Sequence, residues 1–235
     1  MRFFSSLIAL CTAASALAAP TQHEARQTTL SGKKLTILPL GDSITYGIGS
    51  SSSNSYRQFL LSSLQSAGAS VDYVGTVRSG TMSDKDNEGH PGWTIDQISG
   101  AVTNVKNAGI APNVVLVHAG TNDCNTYGSE TAYVRLGSLI DKVVAAWPQA
   151  AVVVAKIIPA QSANTQKNIQ AFNSRVQSVV SQRANAGKRV SVVDMSTLNA
   201  ASDLSDSLHP NDQGFKKMAN IWLDGVKKVN SLGWI

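Results

Sequence analysis

A serine near the N-terminus and a histidine near the C-terminus are the side chains best suited to nucleophilic catalysis in this sequence. Ser43 lies in the segment Gly41-Asp42-Ser43, and His209 follows Asp206 by three residues. A carboxylate at that spacing can fold back and orient the imidazole, whose other ring nitrogen then faces a nucleophile. Ser43 could therefore attack a carbonyl with His209 as its base, although a lone Gly-Asp-Ser is also typical of a simple turn.

The choice of base rests on a comparison of three histidines, because histidine is the side chain that most readily accepts a proton near neutral pH. His118 lies inside an apolar segment, which favours a hydrogen-bonded histidine of the core. His90 lies in a glycine-rich loop and lacks an adjacent carboxylate in a suitable register, although Glu88 and Asp86 are near. His209 is therefore the predicted base.

Two further segments offer hydrogen-bond donors for an oxyanion. Asn122, in Gly120-Thr121-Asn122-Asp123, carries an amide that could bind a developing negative charge or merely complete a turn. Gly92 could present its backbone N–H, because a glycine allows close backbone approach. Its neighbour Trp93 could stack on a sugar face or cover the edge of the core.

These segments follow apolar runs that alternate with stretches of helical periodicity, which is typical of βα units around a parallel sheet. We predict strands at Leu35–Leu40, Val71–Val77, Val114–His118, Val152–Ile158 and Val190–Val193. We predict helices over about residues 55–67, 94–107, 131–146, 164–186 and 211–230. The result is one α/β domain, a three-layer sandwich with a five-stranded parallel sheet, whose site lies beyond the carboxyl ends of the strands.

The four polar segments together resemble the SGNH (GDSL-type) hydrolases, in which they occur in the same order, and the resemblance extends from Leu35 to Val229. It implies the flavodoxin-like fold of that superfamily and an attack of the serine on an ester. It also implies a catalytic triad and an oxyanion hole. The implied triad is Ser43, His209 and Asp206, and the implied oxyanion donors are the N–H groups of Ser43 and Gly92 and the amide of Asn122.

Within that superfamily, four stretches resemble the family 3 carbohydrate esterases, which are mostly acetylxylan esterases. They are Ile37 to Thr45, Tyr56-Arg57, Asp72 to Gly75 and the loop from Glu88 to Ile95. The resemblance implies that the protein removes acetyl groups from plant cell-wall polysaccharide through an acyl-enzyme, with the acetylated polymer as its partner.

Three residues near the predicted triad are candidate substrate-binding residues: Trp93, Tyr46 and His90. Other functions stay open at this stage. An SGNH lipase or lysophospholipase would need an apolar lid, and no extra amphipathic segment stands between the four polar segments. Another carbohydrate acetylesterase is possible, and so is a catalytically silent carbohydrate-binding protein.

The N-terminal segment indicates export. Arg2 precedes an apolar run from Phe3 to Leu10, and a cleavage pattern, Ala16-Leu17-Ala18, follows. This predicts a signal peptide over residues 1–18 and a secreted, extracellular protein. The apolar run is too short for a membrane anchor, which needs ~20 residues. Residues 19–31 are expected to be a short propeptide or flexible arm, and residues 32–235 the hydrolase domain.

Composition excludes several other classes. The chain of 235 residues is 43% hydrophobic, which suits a packed domain rather than a disordered one. Its 20 basic and 15 acidic side chains are scattered, so neither nucleic acid nor a membrane is an expected partner, and we expect a monomer. Signal cleavage would remove Cys11 and leave Cys124 as a buried free thiol. Zinc motifs, a Walker loop and a dinucleotide fingerprint are absent from the sequence, so we expect no metal or cofactor.

Overall fold

The computed structural model describes residues 29–126 and 128–235, which form one seven-stranded sheet with helices on both faces. The strands are β1 Lys34–Asp42, β2 Ser70–Tyr73, β3 Val77–Arg78, β4 Asp86–His90, β5 Val114–His118, β6 Ala151–Lys156 and β7 Val190–Asp194. The helices are α1 Ser43–Tyr46, α2 Arg57–Ser66, α3 Ile95–Asn107, α4 Thr121–Asn125, α5 Ala132–Ala146, α6 Ala163–Asn185 and α7 Asp212–Ser231. A 3₁₀ turn at Ser129–Thr131 precedes α5.

The sheet is parallel except where β3 runs antiparallel to β4. On one side β1 pairs with β5, and β6 and β7 follow. On its other side β1 has two partners in succession, because β2 pairs with Lys34–Ile37 and β4 with Leu40–Asp42. The fold class is therefore as predicted, but the five-strand count is wrong, since β2 and β4 share one position and β3 is added outside it.

The error arises between residues 71 and 90. The prediction ran one strand from Val71 to Val77, whereas β2 ends at Tyr73 and β3 begins only at Val77. Between them the N–H of Thr76 donates to the side chain of Glu88, so this part of the backbone bonds to a carboxylate rather than to a neighbouring strand. The sequence of β4, Asp-Asn-Glu-Gly-His, has no apolar residue and gave no strand signal.

Alternation along the buried strands divides the core into two layers. Leu38, Val115 and Val152 face the layer formed with α3, α5 and α6. Their neighbours in sequence, Ile37 and Val153, face the layer formed with α2 and α7. Because both faces are covered by helices, these strands are apolar throughout, as parallel strands in a three-layer sandwich are.

The five predicted helices are confirmed, and none of their ends is shifted by more than two residues. The short helices α1 and α4 were not predicted, since four or five residues are too few to show a helical period. Each follows a strand: α1 begins directly after β1, and α4 begins three residues after the end of β5. Both therefore start at the carboxyl edge of the sheet, where the polar segments meet.

The packed part of the chain includes the first residues that the structure describes. Leu30, which the prediction assigns to the arm, is fully buried, and its N–H donates to the Ala67 carbonyl. The side chain of Asn230 donates to the carbonyl of Thr29. The predicted signal peptide and residues 19–28 of the predicted arm lie outside the described residues. Among the helices of the described ranges, none has the length and apolar character needed to cross a membrane.

Candidate active site

Ser43 is the first residue of α1 and lies at the end of β1, with 4% of its surface exposed. Asp42 caps this short helix by accepting the Ile44 N–H at 3.0 Å. The preceding Gly41 has no room for a side chain, because a Cβ atom there would lie 2.4 Å from the His118 carbonyl oxygen. The strand-to-helix turn therefore holds the Ser43 hydroxyl in one place at the sheet edge.

The structure brings the three predicted triad residues together. Ser43 Oγ lies 2.9 Å from His209 Nε2, and His209 Nδ1 lies 2.8 Å from Asp206 Oδ2. The other oxygen of Asp206 accepts the backbone N–H groups of Leu208 and His209, both at 2.7 Å. The carboxylate thus organises the turn and holds the imidazole at the same time.

The protonation of this turn follows from its hydrogen bonds. Burial alone would raise the pKa of Asp206, but the N–H groups of His209 and Leu208 and the His209 ring outweigh burial and lower it. An ionised carboxylate can only accept, so His209 Nδ1 carries a proton. Nε2 is then the acceptor that faces the hydroxyl of Ser43.

The base loop, defined here as residues 195–211, is anchored by a second carboxylate. Asp203 is fully buried and accepts Lys217 Nζ at 2.8 and 2.9 Å and the Asn199 N–H at 2.8 Å. At the end of the loop, Asn211 caps α7 by accepting the Gly214 N–H at 3.0 Å. These bonds fix the loop on both sides of His209.

A further link, which the sequence analysis missed, joins the base loop to the segment that follows α1. Asp212, the first residue of α7, accepts the Ser51 N–H and the Ser50 hydroxyl, both at 3.1 Å, and the Ser51 hydroxyl at 2.5 Å. Gly49 lies close against this loop, because a Cβ atom there would meet His209 Cβ at 2.9 Å. The sequence gives no specific sign of this link, because a serine-rich run and a distant helix N-terminus occur together in many proteins that lack such a contact.

The candidate oxyanion donors come from the neighbouring loops. Asn122 lies in α4, and its side-chain amide donates one hydrogen bond to the Trp93 carbonyl at 2.8 Å. The side-chain amide of asparagine carries two N–H groups. The second N–H of Asn122 has no partner among the described residues, so it can donate to an oxyanion. Gly92 has a φ of 78° and open space around it, since a Cβ atom there would meet nothing within 4 Å.

The structure corrects the sequence analysis at His90, which does have a carboxylate partner. Its Nε2 lies 2.7 Å from Glu88 Oε1, and its ring stacks on Trp93 with centroids 3.8 Å apart and planes 9° apart. The contact between His90 and Glu88 was missed because the sequence analysis placed both residues in a loop. In the structure they are two residues apart in β4, where side chains at that spacing face the same side. Tyr46 ends α1, and its carbonyl accepts the Ser79 hydroxyl at 2.7 Å.

His118 is fully buried, as predicted, but neither ring nitrogen has a hydrogen-bond partner among the described residues. The expected hydrogen-bonded core histidine is therefore wrong in that detail. Burial lowers the pKa of His118 and raises that of the neighbouring Asp42 carboxyl. His118 cannot serve as the catalytic base, because its ring is fully buried at the end of β5 and is not accessible to a substrate.

Cys124 is a buried free thiol, as predicted, and burial raises its pKa to about 12. It is therefore inert as a nucleophile at neutral pH. In the part of the chain that the structure describes, no three His, Cys, Asp or Glu side chains are grouped so as to hold a metal ion.

Comparison with known proteins agrees with this architecture. Residues 40–217 match the model of the GDSL-like lipase/acylhydrolase family. A family 3 carbohydrate esterase from Clostridium thermocellum is 35% identical with a TM-score of 0.75, and the match covers 85% of this chain and 99% of that one. A family 3 carbohydrate esterase from Talaromyces cellulolyticus is 25% identical with a TM-score of 0.71 and covers the same shares.

A curated relative adds a longer protein to the comparison. A multidomain esterase from Ruminococcus flavefaciens is 28% identical over an alignment of 222 residues, which covers 82% of this chain and 28% of that protein. A putative endoglucanase from Acetivibrio thermocellus is 33% identical over 132 residues. The chain spans 28% and 56% of the lengths of these two relatives.

The fold, the order of the polar segments and the family match define the class. The chain belongs to the GDSL-like lipase/acylhydrolase family. Within that class it is similar to the family 3 carbohydrate esterases.

Proposed function

We propose that this chain is a secreted serine esterase that removes acetyl groups from acetylxylan. The single observation that carries the proposal is the chain of hydrogen bonds from Ser43 through His209 to Asp206, at 2.9 and 2.8 Å. The similarity to family 3 carbohydrate esterases over almost their whole length supports a carbohydrate acetyl ester as substrate.

The proposed reaction has two steps. His209 Nε2 takes the proton of the Ser43 hydroxyl while Oγ attacks the acetyl carbonyl, and the resulting imidazolium gives that proton to the sugar oxygen as it leaves. Water then attacks the acetyl-serine with His209 again as base, and acetate and the free serine result. Asp206 keeps the imidazole in the right tautomer and stabilises its positive form.

Negative charge develops on the carbonyl oxygen in both steps. The N–H groups of Ser43 and Gly92 and the free amide N–H of Asn122 are the proposed donors to it. Fixed donors of this kind stabilise the transition state more than they stabilise the neutral ester, which is why they raise the rate. The rings of His90 and Trp93 stack on each other beside Gly92, and we propose that Trp93 and Tyr46 contact the sugar.

The test is acetate release from acetylated xylan by the native protein and by Ser43→Ala. We expect the variant to lose at least about 10⁴-fold in kcat, because no other nucleophile replaces the serine. Ser62→Ala, on an exposed face of α2, is the matched control and should keep full activity. Thermal unfolding of both variants should resemble that of the native protein.

Other outcomes would contradict the proposal in different ways. Activity confined to long-chain acyl esters would keep the serine esterase and remove the xylan assignment, and activity on acetylated pectin alone would change the polymer. A protein that turns over no ester and is not labelled at Ser43 by a phosphonate probe would be a carbohydrate-binding protein.

A further inference from the structure

We propose that Glu88 and His90 are positioning residues that set the geometry of the oxyanion hole through the backbone of Trp93. The inference deepens the proposed function, because it rests on Asn122 and Gly92 acting as oxyanion donors. Neither Glu88 nor His90 is needed for the triad itself, whose two side-chain contacts are made by other residues.

Glu88 is a buried carboxylate that takes no part in the triad. The Glu88 side chain is 1% exposed, and it accepts the Thr76 N–H at 2.7 Å and the Thr76 hydroxyl at 2.9 and 3.0 Å. Its remaining partner is His90 Nε2 at 2.7 Å. A buried carboxylate with this many donors is held in a fixed position, and it therefore fixes the plane of the His90 ring.

The His90 ring then fixes Trp93. The two rings are stacked at 3.8 Å, nearly parallel, and Trp93 also packs against the core cluster of α3 and α5. His90 is not placed to act as a second base, because Ser43 Oγ is already bound to His209 and the bonded nitrogen of His90 faces Glu88.

The stack closes the turn that carries Gly92. The Trp93 N–H donates to the His90 carbonyl at 3.2 Å, and Pro91 and Gly92 are the two central residues. Proline followed by a glycine with positive φ, here 78°, is the pattern of a type II turn. The stacked rings are thus the side chains of the first and last residues of this turn, and they hold the orientation of the Gly92 backbone.

The same backbone holds the other donor. The Trp93 carbonyl accepts the amide of Asn122 at 2.8 Å, which determines where the second amide N–H of Asn122 points. One hydrogen bond further along, the Ile95 N–H donates to Asp123 at 3.0 Å. A shift of the His90–Trp93 stack therefore moves both oxyanion donors, while the triad keeps its contacts.

The experiment is a double-mutant cycle between His90→Ala and Asn122→Ala, with p-nitrophenyl acetate as substrate. We expect His90→Ala alone to lower kcat about tenfold or more, with KM changed less than about twofold, because a small displacement of the donors weakens the transition state and not the ester ground state. In the Asn122→Ala background the same change should lower kcat only about two- to threefold, since its main target is gone.

Two results would overturn the proposal. One is an equal loss of kcat in both backgrounds, which would mean that His90 does not act through Asn122. The other is a rise in KM with kcat unchanged, which would mean that His90 contacts the substrate. If His90→Ala does not fold, His90→Leu repeats the cycle, because a leucine fills the space beside Trp93 but neither stacks on its ring nor bonds to Glu88.

The substrate separates this test from the proposed function. Native protein that cleaves p-nitrophenyl acetate but not acetylxylan would remove the polymer assignment and leave the cycle fully informative. Native protein that deacetylates xylan while the cycle is additive would keep the function and remove the role of Glu88 and His90. Glu88→Gln, which keeps the shape of the side chain, should lie between native and His90→Ala in kcat.

Discussion

The two halves of the candidate site are built in different ways. On the base side, Asp206 and His209 are three residues apart, and the Asp206 side chain is 52% exposed. On the oxyanion side, Glu88 and Asp123 are each 1% exposed, and the bonds that join its two loops connect residues 28 and 29 apart in sequence. The base side is a local turn, whereas the oxyanion side depends on contacts between distant segments.

Substitutions in the two halves should therefore have different effects on stability. An exposed carboxylate that loses its partner is solvated by water, so a variant on the base side changes chemistry more than stability. A buried carboxylate that loses its partner keeps a charge without solvation, which destabilises the fold by several kcal/mol. Variants on the oxyanion side should therefore affect both the reaction and the fold.

The largest effect expected within this comparison is that of Asn122→Ala on turnover. Loss of one oxyanion donor typically lowers kcat by about 10²- to 10³-fold. KM for p-nitrophenyl acetate should change little, because the donor acts mainly on the transition state. Asn125→Ala, in the same short helix, is the control, since its side chain accepts the Thr165 hydroxyl and, among the described residues, has no bond to the oxyanion loops. Comparable losses in the two variants would mean that α4 as a whole, and not the Asn122 amide, supports the reaction.

Arg135→Met tests the buried support of the oxyanion side. Arg135 donates to Asp123 Oδ1 at 2.7 and 3.2 Å, and the other oxygen accepts the Ile95 N–H. Removing the arginine leaves the buried carboxylate without its cation, and we expect a loss of about 3 kcal/mol in the free energy of unfolding. This corresponds to a fall of about 10 °C in the thermal midpoint.

The matched control for that variant is Arg78→Met. Arg78 is 68% exposed, and its partner Asp86 is 37% exposed, so the pair should contribute less than about 1 kcal/mol. Urea unfolding measured by circular dichroism gives both values. Equal losses in the two variants would mean that the burial of Asp123 does not make the oxyanion side more sensitive to the loss of a cation.

The same division explains what the sequence could predict. The contact between Asp206 and His209 could be predicted because a carboxylate three residues before a histidine forms a local turn, and such a turn is visible in the spacing alone. The apolar strands and the five long helices were found because their periodicity is local as well. Those signals are read over a few consecutive residues, and they do not depend on how the chain folds elsewhere.

The supports of the oxyanion side could not be found in this way. The bond from Asn122 to the Trp93 carbonyl exists because β4 and β5 end at the same edge of the sheet. The bond from Thr76 to Glu88 exists because the segment between β2 and β3 lies beside β4. β4 itself was missed because its side chains bond to other segments instead of forming an apolar run. A carboxylate such as Glu88 gives no sign in the sequence of whether it is buried.

Apart from the controls, the smallest effect is expected for Lys217→Met. This variant tests whether the base side also depends on a buried charge, although its catalytic turn is exposed. Lys217 is 45% exposed and bonds both oxygens of the buried Asp203. Because water solvates much of the lysine, we expect a loss of only about 1–2 kcal/mol near neutral pH. Lys216→Met, an exposed neighbour in α7, is the control.

The pH dependence identifies the cause of that loss. Burial alone would raise the pKa of Asp203, but the Lys217 ammonium and the Asn199 N–H outweigh it and hold the pKa below the ordinary value of 3.8. A carboxyl whose pKa is lowered by folding contributes stability above its ordinary pKa and loses it as the pH falls through the lowered value. The difference in urea midpoint between Lys217→Met and the native protein should therefore shrink as the pH falls below 3.8. A difference that stays constant below that pH would mean that Lys217 acts by packing its chain on the loop, and the base side would then contain no buried charge that needs a partner.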